Sequence, residues 1–165
     1  MTSEPMFRTP PSDGRWHYED LDVGQSIDVG RRGVTREEIV AFAAAFDPQA
    51  HHLDDEAAAK TMVGRLCASG WHTCSMSMRL LCDGFFNHAA GLGSPGMDEI
   101  RWVKPVYPGD TIRGRIICIA RRPLASRPGV GLWTIDFELT NQDGAVVMTW
   151  RSSQLMGMRR AGGEA

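Results

Sequence analysis

What this chain lacks narrows the field quickly. No apolar run approaches the roughly 20 residues a membrane-crossing helix needs, and no basic-then-apolar leader opens the sequence. A cytoplasmic protein with no membrane partner is the expectation. Net charge is small, −2, and no basic stripe with interleaved aromatics is present, so nothing marks a nucleic-acid partner. Cysteine is sparse: four residues, at 67, 74, 82 and 118, with no Cys-x-x-Cys pair among them. Cys74 and Cys82 lie eight residues apart on one predicted helix, over two turns, too far to bridge. All four read as small buried hydrophobes. There is no internal repeat. At 165 residues the chain is one domain, long enough to bury roughly two-thirds of its unfolded surface.

The residues that are present sort into three stretches. Met1 to Arg15 is rich in Pro, Ser and Gly without periodicity and reads as a loose arm; the stretch from Gly157 reads as a frayed tail. Gln25 to Val34 alternates weakly, as a first strand would. Thr35-Arg36-Glu37-Glu38 is a capping box, and Ile39, Phe42, Ala43 and Phe46 follow at helical spacing. Asp54 or Asp55 then caps a short helix through Lys60. Trp71 to Asn87 is the longest helical signal, about 25 Å, with apolar residues on several faces. A helix of that kind wants a sheet curled around it.

Past the Gly/Pro-rich stretch Gly91 to Gly96 the period changes to two. Ile112, Gly114, Ile116 and Cys118 alternate in one strand, and Trp133, Ile135, Phe137 and Leu139 in the next. Asn141-Gln142-Asp143-Gly144 is turn chemistry, with Val146, Met148 and Trp150 opening a final strand. One strand, a helical region, then about four antiparallel strands make an α+β domain.

The most informative stretch is Phe46-Asp47-Pro48-Gln49-Ala50-His51-His52. A helix ends at Phe46, and a polar turn sets Asp47 and His52 five residues apart. Asp and His are well suited to passing a proton near neutral pH. The plain alternative is a helix end followed by solvated histidines. His51, His52, Asp54 and Asp55 together hint at a metal, but their order matches no recognised ligand spacing. Gly70 stands at the start of the long helix, either as a tight-turn residue or as an oxyanion donor. Ser69 is either its N-cap or a hydrogen bond to substrate.

Three segments in order resemble the MaoC-like dehydratase family, which includes R-specific enoyl-CoA hydratases. Asp47, His52 and Ala58 fall in register with its signature, Gly-Asp-x-Asn-Pro-aliphatic-His, then five residues, then Ala or Ser. Phe46 stands in place of the Gly, Gln49 of the Asn, and Ala50-His51 of the Pro-aliphatic pair. Ala68-Ser69-Gly70-Trp71-His72 resembles the turn into the family's central helix. Arg101 to Asp110 resembles the strand and turn after it.

The resemblance covers about residues 16–156 and implies a hot-dog fold, a sheet wrapped around a long helix. It implies Asp47 and His52 as a catalytic dyad, with Gln49, Ser69 and Gly70 supporting it or meeting substrate. It also implies an acyl-CoA thioester as partner, no cofactor or metal, and a homodimer or larger assembly with sheets joined edge to edge. The reaction implied is reversible hydration of 2-enoyl-CoA; a hot-dog thioesterase and a non-catalytic acyl-binding module are the alternatives. Arg101 and Lys104 are candidates for CoA phosphates, beside the plainer reading of solvated charges.

Overall fold

Period-two alternation in the C-terminal half builds the scaffold. The computed structural model describes residues 6–159. Three long strands run antiparallel in it: β5 (Thr111–Pro123), β6 (Val130–Thr140) and β7 (Val146–Gly157). The expected inward residues Ile112, Ile116 and Cys118 of β5, and Trp133, Ile135, Phe137 and Leu139 of β6, are all fully buried. In β7 the inward set starts one residue later than the alternation suggests. Val147 and Met148 are both buried, because the β6–β7 register shifts between Leu139 and Thr140.

The sheet continues outward on both sides. β2 (Gln25–Gly33) pairs antiparallel with β5, and β1 (Met6–Phe7) pairs parallel with β2. β3 (Gly91–Gly93) and β4 (Met97–Trp102) share the far edge of β7. The resulting order is β1-β2-β5-β6-β7-β3, with β4 beside β3 on the β7 edge.

The long helix, α4 (Gly70–Gly84), packs on β2 and β5. Its inner face carries His72, Thr73, Met76, Ser77, Leu80 and Leu81. A sheet curled over a central helix is the hot-dog arrangement, as expected.

Gly84 makes the closest approach possible. A Cβ there would lie 2.4 Å from the Val29 carbonyl oxygen, so only glycine lets the helix end sit on β2.

Four expectations need correction. The N-terminal arm is not wholly loose: Met6 and Phe7 join the sheet, and the Arg8 N–H donates to the Ser26 carbonyl. Residues 1–5 lie outside the described residues. The tail does not fray at Gly157. Gly157 N–H donates to Ala90, Met158 N–H to Gly129, and the Arg159 guanidinium holds Asp20 at 2.6 Å; residues 160–165 lie outside the described part.

The Gly/Pro-rich stretch Gly91 to Gly96 contains β3. The long helix stops at Gly84, short of Asn87, because Phe85 leaves helical geometry (φ −145°). It buries its ring fully between Trp16 and Trp133. Nor does the sheet cover every apolar face of α4, since Trp71 and Met78 remain exposed.

Exposed Leu92, Met97, Trp102 and Val103 lie on or just beyond the β3 and β4 edge. That is the kind of surface an edge-to-edge dimer covers. Among the described residues no helix is long and apolar enough to cross a membrane. Cys67 and Cys118 are buried as read, whereas Cys74 and Cys82 are half-buried; all four are free.

Candidate active site

Three short helices and the start of α4 bring the site together. The capping box opens α1 (Arg36–Phe46): Thr35 Oγ1 accepts from the Glu38 N–H while Glu38 Oε1 accepts from the Thr35 N–H. Asp47 closes the helix as its C-cap, in non-helical geometry (φ −149°, ψ 68°), and its N–H donates to the Ala43 carbonyl. The stretch read as a polar turn in fact forms a single helical turn, α2 (Ala50–Leu53). It rotates His52 inward to 7% exposure. α3 (Asp55–Ala59) follows, capped by Asp54, whose Oδ1 accepts from the Ala57 N–H at 2.9 Å.

Asp47 is held at both carboxylate oxygens. Ser69 Oγ donates to Oδ2 at 2.6 Å, and Gln49 Nε2 donates to Oδ1 at 2.7 Å. The Ser69 hydroxyl, then the Gln49 amide, hold the Asp47 carboxyl below its ordinary value. Gln49, where the family signature has Asn, thus places its amide on the Asp47 carboxylate.

His52 faces the same carboxylate. Its Nδ1 lies 2.8 Å from the Cys67 carbonyl oxygen, which can only accept, so Nδ1 carries the hydrogen. In the neutral ring Nε2 is then an acceptor, 3.6 Å from Asp47 Oδ2. That gap exceeds a direct hydrogen bond. It presents two acceptors to one water, which can donate a proton to each and leave its lone pairs facing outward.

Ser69 fills both a structural and a polar role. As N-cap of α4 its Oγ accepts from the Trp71 N–H at 3.2 Å, and the same hydroxyl donates to Asp47. The helix start and the carboxylate are therefore one unit. Replacing Ser69 with Ala is expected to raise the Asp47 pKa toward its ordinary value and to cost about 1 kcal/mol of cap. Because the folded value is depressed, the stability it confers is present above the unfolded carboxylate pKa. That stability is lost as pH falls through the depressed value. The acid limb of a kcat/KM–pH profile should move upward in Ser69→Ala; an unmoved limb would dissociate Ser69 from Asp47.

Gly70 follows directly. As the first residue of α4 its N–H has no intrahelical acceptor and points where the helix dipole favours negative charge. Its bare Cα is not open space: a Cβ would lie 2.7 Å from the Trp102 ring, and Trp102 Nε1 donates to the Gly70 carbonyl at 2.9 Å. Glycine is needed here for the indole above it. A cavity of about 200 Å³ runs along this junction between residues 67–70 and 102–106, with Gly70, Thr73, Lys104 and Val106 among its walls. His52 connects to it through Cys67, a wall residue whose carbonyl meets His52 Nδ1.

All five expected residues, Asp47, Gln49, His52, Ser69 and Gly70, come together. The His51 ring lies tilted against that of His52, centroids 4.1 Å apart, without joining the hydrogen bonds. His72 belongs to the core: it is buried against Phe42 at 4.7 Å, and burial lowers its pKa. Arg101 is held by Glu99 at 2.6 Å. Two contributors escape sequence reasoning. The Cys67 carbonyl that sets the His52 tautomer is a backbone group and leaves no trace in residue type. Trp102 sits 32 residues from Gly70, and nothing in the sequence pairs them.

Comparison with known proteins bears on the family and the fold. Residues 21–130, more than half of the chain, match the family model described as the MaoC like domain. The crystal structure of a MaoC-like dehydratase from Rhodospirillum rubrum superposes with a TM-score of 0.82 at 38% identity, covering 88% of this chain and 99% of that one. The uncharacterized protein YdeM of Bacillus subtilis is 30% identical over 125 residues, 75% of this chain and 86% of YdeM. The (R)-hydratase from A. caviae involved in PHA biosynthesis shares the fold at 24% identity, with a TM-score of 0.63 over 86% of this chain and 99% of that one. With a family model matched over residues 21–130 and a relative 30% identical over 75% of the chain, the chain belongs to the MaoC-like domain family.

Proposed function

We propose that this protein is a hydro-lyase that reversibly adds water to 2-enoyl thioesters, giving (R)-3-hydroxyacyl thioesters. The observation that carries the reading is the pair of acceptors 3.6 Å apart, Asp47 Oδ2 and His52 Nε2, each locked from behind by another group.

Hydration requires oxygen at C3, a proton at C2, and relief of negative charge on the thioester oxygen between. One water held by both acceptors supplies the nucleophile. As its oxygen bonds to C3, one of its protons passes to the dyad, and the dyad delivers a proton to C2. The roles of acid and base are assigned to the Asp47–His52 pair as a whole. General acid–base work of this kind contributes on the order of 10²–10⁴-fold.

The thioester oxygen fits the Gly70 N–H at the head of α4. Such a donor costs about 3–4 kcal/mol in the transition state when removed. Trp102 holds the following peptide through the Gly70 carbonyl, while the Ser69 carbonyl of the donor's own peptide accepts from the Thr73 N–H.

The same water aimed at the carbonyl carbon would make a thioesterase. Labelled water separates the two readings. With crotonyl-CoA in H2(18)O, the hydratase reading expects the heavy oxygen on C3 of a 3-hydroxybutyryl thioester, seen by mass spectrometry. Label in a free carboxylate would instead establish hydrolysis. Binding of thioester with neither product would leave an acyl-binding module.

A further inference from the structure

One buried titratable side chain has no part in the proposed chemistry. His72, the third residue of α4, is 6% exposed, and its Nδ1 has no hydrogen-bond partner among the described residues. A buried polar atom left unpaired is uncommon and costs stability. The ring lies flat on Phe42 of α1, centroids 4.7 Å apart and planes 12° apart. An aliphatic residue would fill this place without that cost. What the imidazole adds is a nitrogen that can take a proton.

The surroundings suit the neutral ring. His72 stands in the first turn of α4, where the helix dipole already places partial positive charge. From β2 the Arg32 guanidinium faces it. From α1 the Glu38 carboxylate faces it, and both its oxygens are engaged. Oε1 accepts from the Thr35 N–H at 2.9 Å, and Oε2 accepts from Arg32. β5 turns Ile112 and Ile116 inward, neither titratable, and His88 lies past the opposite end of α4. Burial above all holds the imidazole below its ordinary value; Glu38 opposes this and Arg32 adds to it.

The ring also sits on the seam that aligns the site. α1 carries Phe42 and ends on Asp47, while α4 begins on Ser69 and Gly70; the Ser69 Oγ bond to Asp47 joins the two. Next to His72, the Thr73 N–H donates to the Ser69 carbonyl at 3.0 Å. A proton added to the ring in place meets no free acceptor. The charged ring must move toward water, and its contact with Phe42 goes with it.

We infer that His72 is an acid-sensing positioning residue: neutral, it holds α1 against the start of α4, and on protonation it releases that seam and loosens the Asp47–Ser69 junction. The seam is a matter of structure; only its effect on turnover rests on the hydratase reading. Because the folded value lies below the unfolded one of about 6.5, the stability that neutral His72 confers is complete above the unfolded value. It is lost as pH falls through the lowered folded value.

Urea unfolding of the full chain from pH 8 to pH 5 tests this in wild type, His72→Leu and His72→Gln. The glutamine keeps a polar head should leucine fail to fold. Wild type should lose stability as pH falls below about 6.5. Both variants should lose less, by up to one proton of uptake, roughly a tenfold change in the unfolding constant per pH unit. His88→Gln, at an exposed ring, should keep the wild-type pH dependence. Amide exchange, corrected for intrinsic rates, should show Thr73 losing protection between pH 7 and pH 5 in wild type and holding it in both variants.

A wild-type pH dependence retained in both variants, or a Thr73 amide equally protected at both pH values in wild type, would overturn the inference. Turnover of crotonyl-CoA separates it from the hydratase reading. With turnover, the acid limb of kcat/KM should move to lower pH in both variants; an unmoved limb would overturn the link to the site. If wild type hydrates no enoyl thioester at any pH while unfolding and exchange respond as expected, the hydratase reading falls and the switch stands.

Discussion

Changing Asp47 to Asn is expected to lower kcat for enoyl-CoA hydration by about two orders of magnitude or more, with the fold unchanged. Asn keeps the shape of the carboxylate and one acceptor oxygen, so Ser69 and the Gln49 amide can still be satisfied by a rotated amide. What goes is the charge and one of the two acceptors that face the water. His52→Ala should cost a comparable factor by removing the other acceptor. It differs in one respect: the buried Cys67 carbonyl loses its donor, which costs stability of about 1–3 kcal/mol. Urea midpoints measured beside the rates separate the two effects. An Asp47→Asn variant with nearly full activity would place the chemistry elsewhere.

Trp133→Ala should cause a large loss of stability, about 3–5 kcal/mol. Trp133 is fully buried at the centre of β6, stacked on Phe85 at 6.1 Å, and its Nε1 donates to the Tyr18 carbonyl at 3.1 Å. Truncation leaves both a cavity where the indole was and an orphaned carbonyl beneath it. Against a typical total of 5–15 kcal/mol, that is a large fraction of what holds the domain folded. Urea unfolding reads the loss directly. Met62→Ala, at a fully exposed side chain, serves as the control and should leave the midpoint almost unmoved. A Trp133→Ala midpoint close to the control's would mean that the core closes over the gap.

The contrast between what was legible and what was not has a physical basis. Alternation in β5 and β6 named the inward residues because a pleated strand half-buried on one face must alternate. The α1 capping box was equally readable, since it is a local arrangement of four consecutive residues. Asp47 and His52 stood out as a candidate pair because they lie within six residues of one another.

Contacts made across the chain were not visible. β1 is only two residues long, and its pairing with β2 depends on tertiary placement, not on any period. The end of α4 was misplaced because Phe85 leaves the helix to fill a gap between Trp16 and Trp133, residues far away in sequence. α2 was read as a turn since four residues are too few for a helical period to show. In the site itself, Ser69 was readable as a cap, but its bond to Asp47, 22 residues earlier, emerged only from the fold.

The central claim is that Asp47 and His52 act as a unit on one water. A double-mutant cycle on crotonyl-CoA hydration, followed by loss of enoyl absorbance, tests it most directly. Wild type, Asp47→Asn, His52→Ala and the double variant are compared at one pH. The account expects each single change to cost about 100-fold or more and the double change to cost little beyond either one, because residues that share one step are not additive. Wild-type activity that survives both single changes, or losses that simply multiply in the double variant, would contradict it.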